Sequence, residues 1–218
     1  RGQEVRIPLA DVGIATIANL GQLAEVMTTG DNRARYGNSV YGAFGRDFVT
    51  ADGVRLMIMA ITPRQWTGLV KALDLSGAVA DIEAKRGITF ARDEGVRFEH
   101  RDALFPLVET AVAARQSAEL GATFDRLGCC WGPYQTMREA VDDPALVGEN
   151  PMFSTIQQTS GLRYPVPGAM ATIPQEPRLP PVRAPFLGEH SDEILAEVLG
   201  LGSGQIGALH DAGLVASA

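Results

Sequence analysis

A tight hairpin followed at once by a helix start constrains this chain more than any other feature. Arg46 to Thr50 and Val54 to Ile61 are strand-like runs flanking Ala51-Asp52-Gly53. Asp-Gly tolerates the positive φ that a short hairpin turn needs. Thr62-Pro63-Arg64-Gln65 then combines an N-cap, a proline at the first helical position and a capping-box glutamine. The helix so begun spaces Trp66, Leu69, Val70 and Leu73 at i, i+3, i+4 and i+7, which makes one apolar face. Two strands and a helix tied this closely in sequence must share a core.

Further apolar faces extend that core. One helix, about Arg101 to Arg115, presents Leu104, Leu107, Val108, Ala111 and Val112. Another begins after Ser117 and presents Leu120, Phe124 and Leu127. Cys129 to Tyr134 reads as a short buried strand, and Thr136-Met137-Arg138-Glu139 as a capping box opening a last helix. Residues 40–142 therefore read ββααα-βα, a small α/β domain.

The flanks do not complete themselves. Glu4 to Leu9 alternates like a strand, and Asp11 is placed to cap one long helix reaching about Met27. Its apolar residues lie nearly all round, so burial is expected. Arg33 to Ser39 is a polar linker. Asp143-Pro144 to Asn150-Pro151 is a second one. Residues 152–186 are strand-like but punctuated by seven prolines from Pro165 to Pro185, so they should lie extended on another surface. Two short helices, about Asp192–Leu199 and Gly204–Asp211, close the chain. Residues 1–39 and 143–218 thus read as parts of a larger, incomplete Rossmann-like domain around the small one.

Composition narrows the function classes. The formal net charge of −7 argues against a nucleic-acid partner, because phosphate binding needs a basic face. The stretch Val12 to Met27 is broken by Asn19, Gln22 and Glu25 and is too polar and short to span a bilayer. No membrane association is expected. The opening residues read as strand and not as a leader. Two adjacent cysteines, Cys129 and Cys130, exclude a disulfide framework and suit a reducing cytoplasm.

Phe186-Leu187-Gly188-Glu189-His190-Ser191-Asp192-Glu193-Ile194-Leu195 is the most distinctive string. Physically it is a helix start, with Ser191 as the cap and Asp192 and Glu193 in the first turn, where the dipole favours them. As a string it resembles the "LGEHTDE-L" signature of class III (CaiB/BaiF-type) CoA-transferases. Arg1-Gly2-Gln3-Glu4-Val5 is similar to that family's "GRGQ-V" strand. Tyr41 to Phe48, Asn150-Pro151-Met152-Phe153 and Leu209-His210-Asp211 resemble the members that move CoA between the C1 and C4 carboxyls of mesaconyl-CoA.

The resemblance implies acyl transfer through an enzyme aspartate, which attacks the thioester and forms a mixed anhydride. It implies a CoA thioester as substrate, no permanently bound cofactor and an interlocked homodimer. The family's nucleophilic aspartate lies upstream of the "GRGQ" strand, so no catalytic residue is carried over, and no turnover is expected from these 218 residues alone. Alternatives are transfer between two separate acids, 2-methylacyl-CoA racemisation, or a folding or binding module without activity.

Tyr36 to Gly45 resembles the family's glycine-rich active-site loop without its continuous glycine run, the alternative being an ordinary interdomain turn. The candidate substrate-binding residues are Gly37, Asn38, Tyr41, Gly42 and Ala43. Glycines let backbone N–H groups approach a developing oxyanion and let the segment move. Arg33, Arg35 and Arg46 lie near that loop and suit either CoA phosphates or a solvated linker.

Other constellations carry no chemistry. Gly202-Ser203-Gly204-Gln205-Ile206-Gly207 matches G-x-G-x-x-G but follows a helix instead of a strand, so it reads as a connection capped by Ser203. His100, His190 and His210 lack zinc-ligand spacing. Glu189-His190 reads as a structural corner, and Cys129-Cys130 as packing without a catalytic partner.

Overall fold

A computed structural model describes residues 3–216. They form two units that divide between Tyr134 and Gln135.

The first unit opens with α1 (Leu9–Asn19) and α2 (Gln22–Thr29). Four expectations change here. Residues 4–8 form no strand, because a strand needs a hydrogen-bonded neighbour and no other described segment pairs with them. Arg1 and Gly2 of the expected strand lie outside the described residues. The single long helix is two helices, broken where Gly21 takes φ 76°. Asp11 sits within the first turn of α1, and Pro8 holds the cap position. Neither helix buries a residue; Leu9 is 90% exposed and Met27 87%. All-round apolarity expresses a preference for burial, and burial itself needs a covering surface.

β1 (Phe44–Val49), β2 (Arg55–Ala60) and β3 (Cys130–Pro133) make an antiparallel sheet in that order. Phe44, Phe48, Leu56, Ile58 and Ala60 point from it into the core. The turn is closed by the Gly53 amide donating to Thr50 O at 3.0 Å. Only Gly53 takes positive φ, at 79°; Asp52 instead accepts from the Thr50 and Ser117 hydroxyls, each at 2.6 Å. Those bonds hold the Asp52 carboxyl down at about 2, with Ser117 the leading cause.

α3 (Pro63–Ala72) starts with the expected reciprocal box: Gln65 N donates to Thr62 Oγ1 at 3.2 Å and Thr62 N to Gln65 Oε1 at 2.9 Å. Two helices unmarked in the sequence follow, α4 (Ser76–Arg86) and α5 (Glu94–Glu99). α4 lacks a side-chain cap, and α5 is six residues long behind an Asp93 cap that resembles a turn. α6 (Arg101–Ala113) and α7 (Ser117–Leu127) complete the layer, burying Leu104, Val108 and Val112 and then Leu120 and Phe124. Arg97 is wholly buried, donating to Phe90 O at 2.5 Å and to Ile61 O at 2.6 Å. β3 is half-buried and not fully buried as expected, since it is a sheet edge.

In the second unit, α8 (Met137–Asp142) carries the expected Thr136–Glu139 box. One π-helical turn, Pro144–Gly148, stands in the expected linker, with Asp143 capping it. β4 (Phe153–Gln157) and β5 (Arg163–Pro167) pair as a hairpin. Both strands are edges, which is where Pro165 and Pro167 are tolerated. After an irregular tract come α9 (Ser191–Glu197) and α10 (Ser203–Asp211). Ser191 and Ser203 are not caps; His190 and Gly202 hold those positions. Gln205 takes over at α10, accepting from Gly202 N at 2.9 Å.

Candidate functional site

The loop from Tyr36 to Ala43 joins the helical pair to β1. Gly37 and Gly42 take φ 57° and 78°, so each supplies a left-handed bend that other residues adopt at a cost. Between them the loop turns on Ser39 N donating to Tyr36 O at 3.0 Å and Val40 N to Gly45 O at 2.8 Å. Asn38 is exposed in the turn it shares with Gly37, and the Arg55 guanidinium pairs with the Asp47 carboxylate of β1. Ala43 is buried at the foot of β1. Val40 to Ala43 form a turn with Gly42 at its positive-φ position, and the Gly42 amide donates to no backbone carbonyl among the described residues. The Gly42 amide at this bend is a group that could meet an oxyanion. The five expected loop residues thus form one continuous structure.

Tyr41 faces two ways. Its hydroxyl donates to Glu25 Oε1 at 3.0 Å, while Arg33 Nε donates to Glu25 Oε2 at 2.8 Å. The Arg33 guanidinium lies 4.0 Å over the Tyr41 ring. On its other side Tyr41 meets Phe98 edge-on at 5.3 Å, and Tyr36 closes the trio at 5.4 Å from Phe98. Arg101 covers Phe98 at 4.3 Å. Arg33 holds the Glu25 carboxyl below its usual range, aided by the Tyr41 hydroxyl, and the same bond raises Tyr41. A cleft of about 570 Å³ runs alongside, lined by Leu20, Gly21, Ala24, Glu25, Arg33 and Tyr41.

Of the three arginines considered, Arg33 joins this cluster. Arg46 does not: it points to the core side of the sheet, stacked on Phe48 and Phe105 and paired with Glu109 at 3.0 Å. Glu25 and Phe98 were not legible as site residues. Glu25 looked like a polar interruption of an apolar run, and Phe98 lies on the short α5. The (i, i+8) spacing of Glu25 and Arg33 gives no helical pairing signal.

The carboxyl-terminal signature is structural. Glu189 accepts from Phe186 N at 2.7 Å and from both Arg183 terminal nitrogens, which close the turn before α9. His190 Nδ1 lies 3.1 Å from Glu193, and His210 Nε2 lies 2.7 Å from Asp192. Among the described residues no group of three metal-ligating side chains converges, and no helix is long and apolar enough to cross a membrane. Burial pushes the Cys129 thiol up to about 11, so it is a poor nucleophile.

The family described as CoA-transferase family III matches residues 1–191. The chain belongs to that family. Among curated class III relatives, the 2-methylfumaryl-CoA isomerase of Chloroflexus aurantiacus is 45% identical over 216 residues, covering 99% of this chain and 53% of the relative. A formyl-CoA:oxalate CoA-transferase of Rhodopseudomonas palustris is 29% identical over 119 residues, covering 54% of this chain and 27% of the relative. The chain therefore spans about half, or less, of the length of these relatives. A CaiB/BaiF family protein from Brucella suis superimposes with a TM-score of 0.56 at 22% identity, over 84% of this chain and 45% of that one. The class III fold is shared, as a mixed α/β architecture with small sheets.

Proposed function

We propose that the protein bearing this chain is an acyl-CoA transferase that moves CoA between the C1 and C4 carboxyls of mesaconyl-CoA, the 2-methylfumaryl-CoA isomerase reaction. The observation that carries this reading is 45% identity across 99% of the chain to a relative bearing that name. The carboxylate that takes up the acyl group is not assigned to any residue here. The described loop supplies the Gly42 amide to the thioester oxygen, with Gly37 and Gly42 as its bends. In this reading residues 40–142 are a small domain, and 1–39 with 143–218 belong to a large one. The exposed apolar residues of α1 and α2, Leu9 and Met27 among them, fit burial in an interlocked homodimer. The CoA thioester is a substrate, no cofactor stays bound, and the two free cysteines suit the cytoplasm.

The runner-up is CoA transfer between two separate acids, which the formyl-CoA:oxalate CoA-transferase relatives favour. One experiment separates the two. The protein, purified as its gene encodes it, is incubated with mesaconyl-C1-CoA and no free acid, and the C1 and C4 thioesters are resolved by chromatography. Isomerisation without an acceptor supports the first reading. Strict dependence on added acid supports the second and removes the first.

A further inference from the structure

We infer that Glu25 is a positioning residue: through Arg33 and Tyr41 it latches the loop of residues 36–43 to α2. The inference rests on that loop being part of the active site, as proposed above. Most surface ion pairs contribute little, because both partners stay solvated and mobile. This one differs in three respects. The Glu25 and Arg33 side chains retain only 19% and 30% of their exposure. Both carboxylate oxygens are used, Oε1 by the Tyr41 hydroxyl and Oε2 by Arg33. The Arg33 guanidinium also lies on the Tyr41 ring, so three groups fix one another's orientation.

The placement of Tyr41 gives the latch its leverage. It stands between the two positive-φ glycines, Gly37 and Gly42, where the backbone turns most easily. The loop's other backbone bonds, Ser39 to Tyr36 and Val40 to Gly45, are local and would move with it. Tyr41 ties it outward to α2 through Glu25, and Tyr41 and Tyr36 both meet the ring of Phe98 on α5. Removing the carboxylate leaves an arginine and a phenol without their shared acceptor, and the Gly42 amide loses its fixed direction. A loop so freed closes over substrate less often, which lowers turnover more than it weakens binding.

Glu25→Ala, Glu25→Gln and Tyr41→Phe in the protein as encoded test this. Backbone amide exchange of segment 36–43, followed by mass spectrometry without any CoA ligand, should speed at least tenfold in Glu25→Ala. Segment 55–60 should be unchanged. Tyr41→Phe, which keeps the ring stacking at a half-exposed position, should give a smaller acceleration of about threefold. With mesaconyl-C1-CoA, kcat should fall about tenfold or more in Glu25→Ala with KM changed less than threefold, and Glu25→Gln should recover part of it. Unchanged exchange in both Glu25→Ala and Tyr41→Phe overturns the latch. Faster exchange with unaltered kcat overturns its role in positioning. If the parent protein turns over no acyl-CoA, the functional reading fails by itself, and the exchange measurement still decides whether the latch exists.

Discussion

Arg183 grips both carboxylate oxygens of Glu189, at 2.8 and 2.5 Å, in the turn that leads into α9. The distinctive string of the chain thereby fastens its own turn. Arg183, with the Phe186 amide, lowers the Glu189 carboxyl to about 2. A depressed folded-state value means stability that is present above the ordinary glutamate value of about 4.3 and lost as pH falls toward 2. Glu189→Gln should therefore lower Tm at pH 7, and the gap from wild type should close between about pH 4.3 and 2. Thermal unfolding monitored by circular dichroism across that range checks it.

Arg97 presents a different kind of dependence. It is buried with no carboxylate bonded to it among the described residues, and it holds two backbone carbonyls, of Phe90 and Ile61. Arg97→Ala leaves both carbonyls without that donor and opens a cavity, so it should cost about 3 kcal/mol. Arg97→Lys should recover only part, since an ammonium lacks the planar fork. Urea titration measures both.

Two helical glycines should respond in opposite directions to alanine. A Cβ at Gly68 would stand 2.5 Å from the Leu127 carbonyl oxygen, so α3 and α7 must separate. Gly68→Ala should destabilise by about 1–2 kcal/mol even after a helix-propensity gain of about 1 kcal/mol. At Gly77, in the first turn of α4, a Cβ meets nothing within 4 Å, and Gly77→Ala should stabilise by about 0.5 kcal/mol. Denaturation midpoints of the two variants give the comparison.

Gly42 has open space for a side chain but a φ of 78°. Strain and not a clash therefore sets the outcome. Gly42→Val should cost about 1–2 kcal/mol and cut turnover of mesaconyl-C1-CoA more than tenfold. Gly42→Asn, which tolerates the left-handed region, should retain more of both. Equal turnover in the two variants and wild type would remove this bend from the reaction.

Cys129, with its thiol raised to about 11 by burial, should be alkylated by iodoacetamide at pH 8 about a hundredfold more slowly than an ordinary thiol. Peptide mass spectrometry over a time course reads the rate directly.

Local rules carried the sequence a long way. The boxes at Thr62 and Thr136, the Gly53 turn and the apolar faces of α3, α6 and α7 depend on groups a few residues apart, and each stands where its spacing placed it. The family string and the bends at Gly37 and Gly42 were equally readable, because they are continuous in sequence. Long-range packing determined the rest. Glu25, Arg33, Tyr41 and Phe98 meet only after α2, the loop and α5 come together, and Arg46 leaves the loop because sheet alternation turns it toward Phe48 and Phe105. The same limit explains the amino-terminal segment. Its apolar residues announce burial and its alternation announces a strand, but a strand needs a hydrogen-bonded neighbour and a buried face needs a cover, and both are properties of the surroundings and not of the segment.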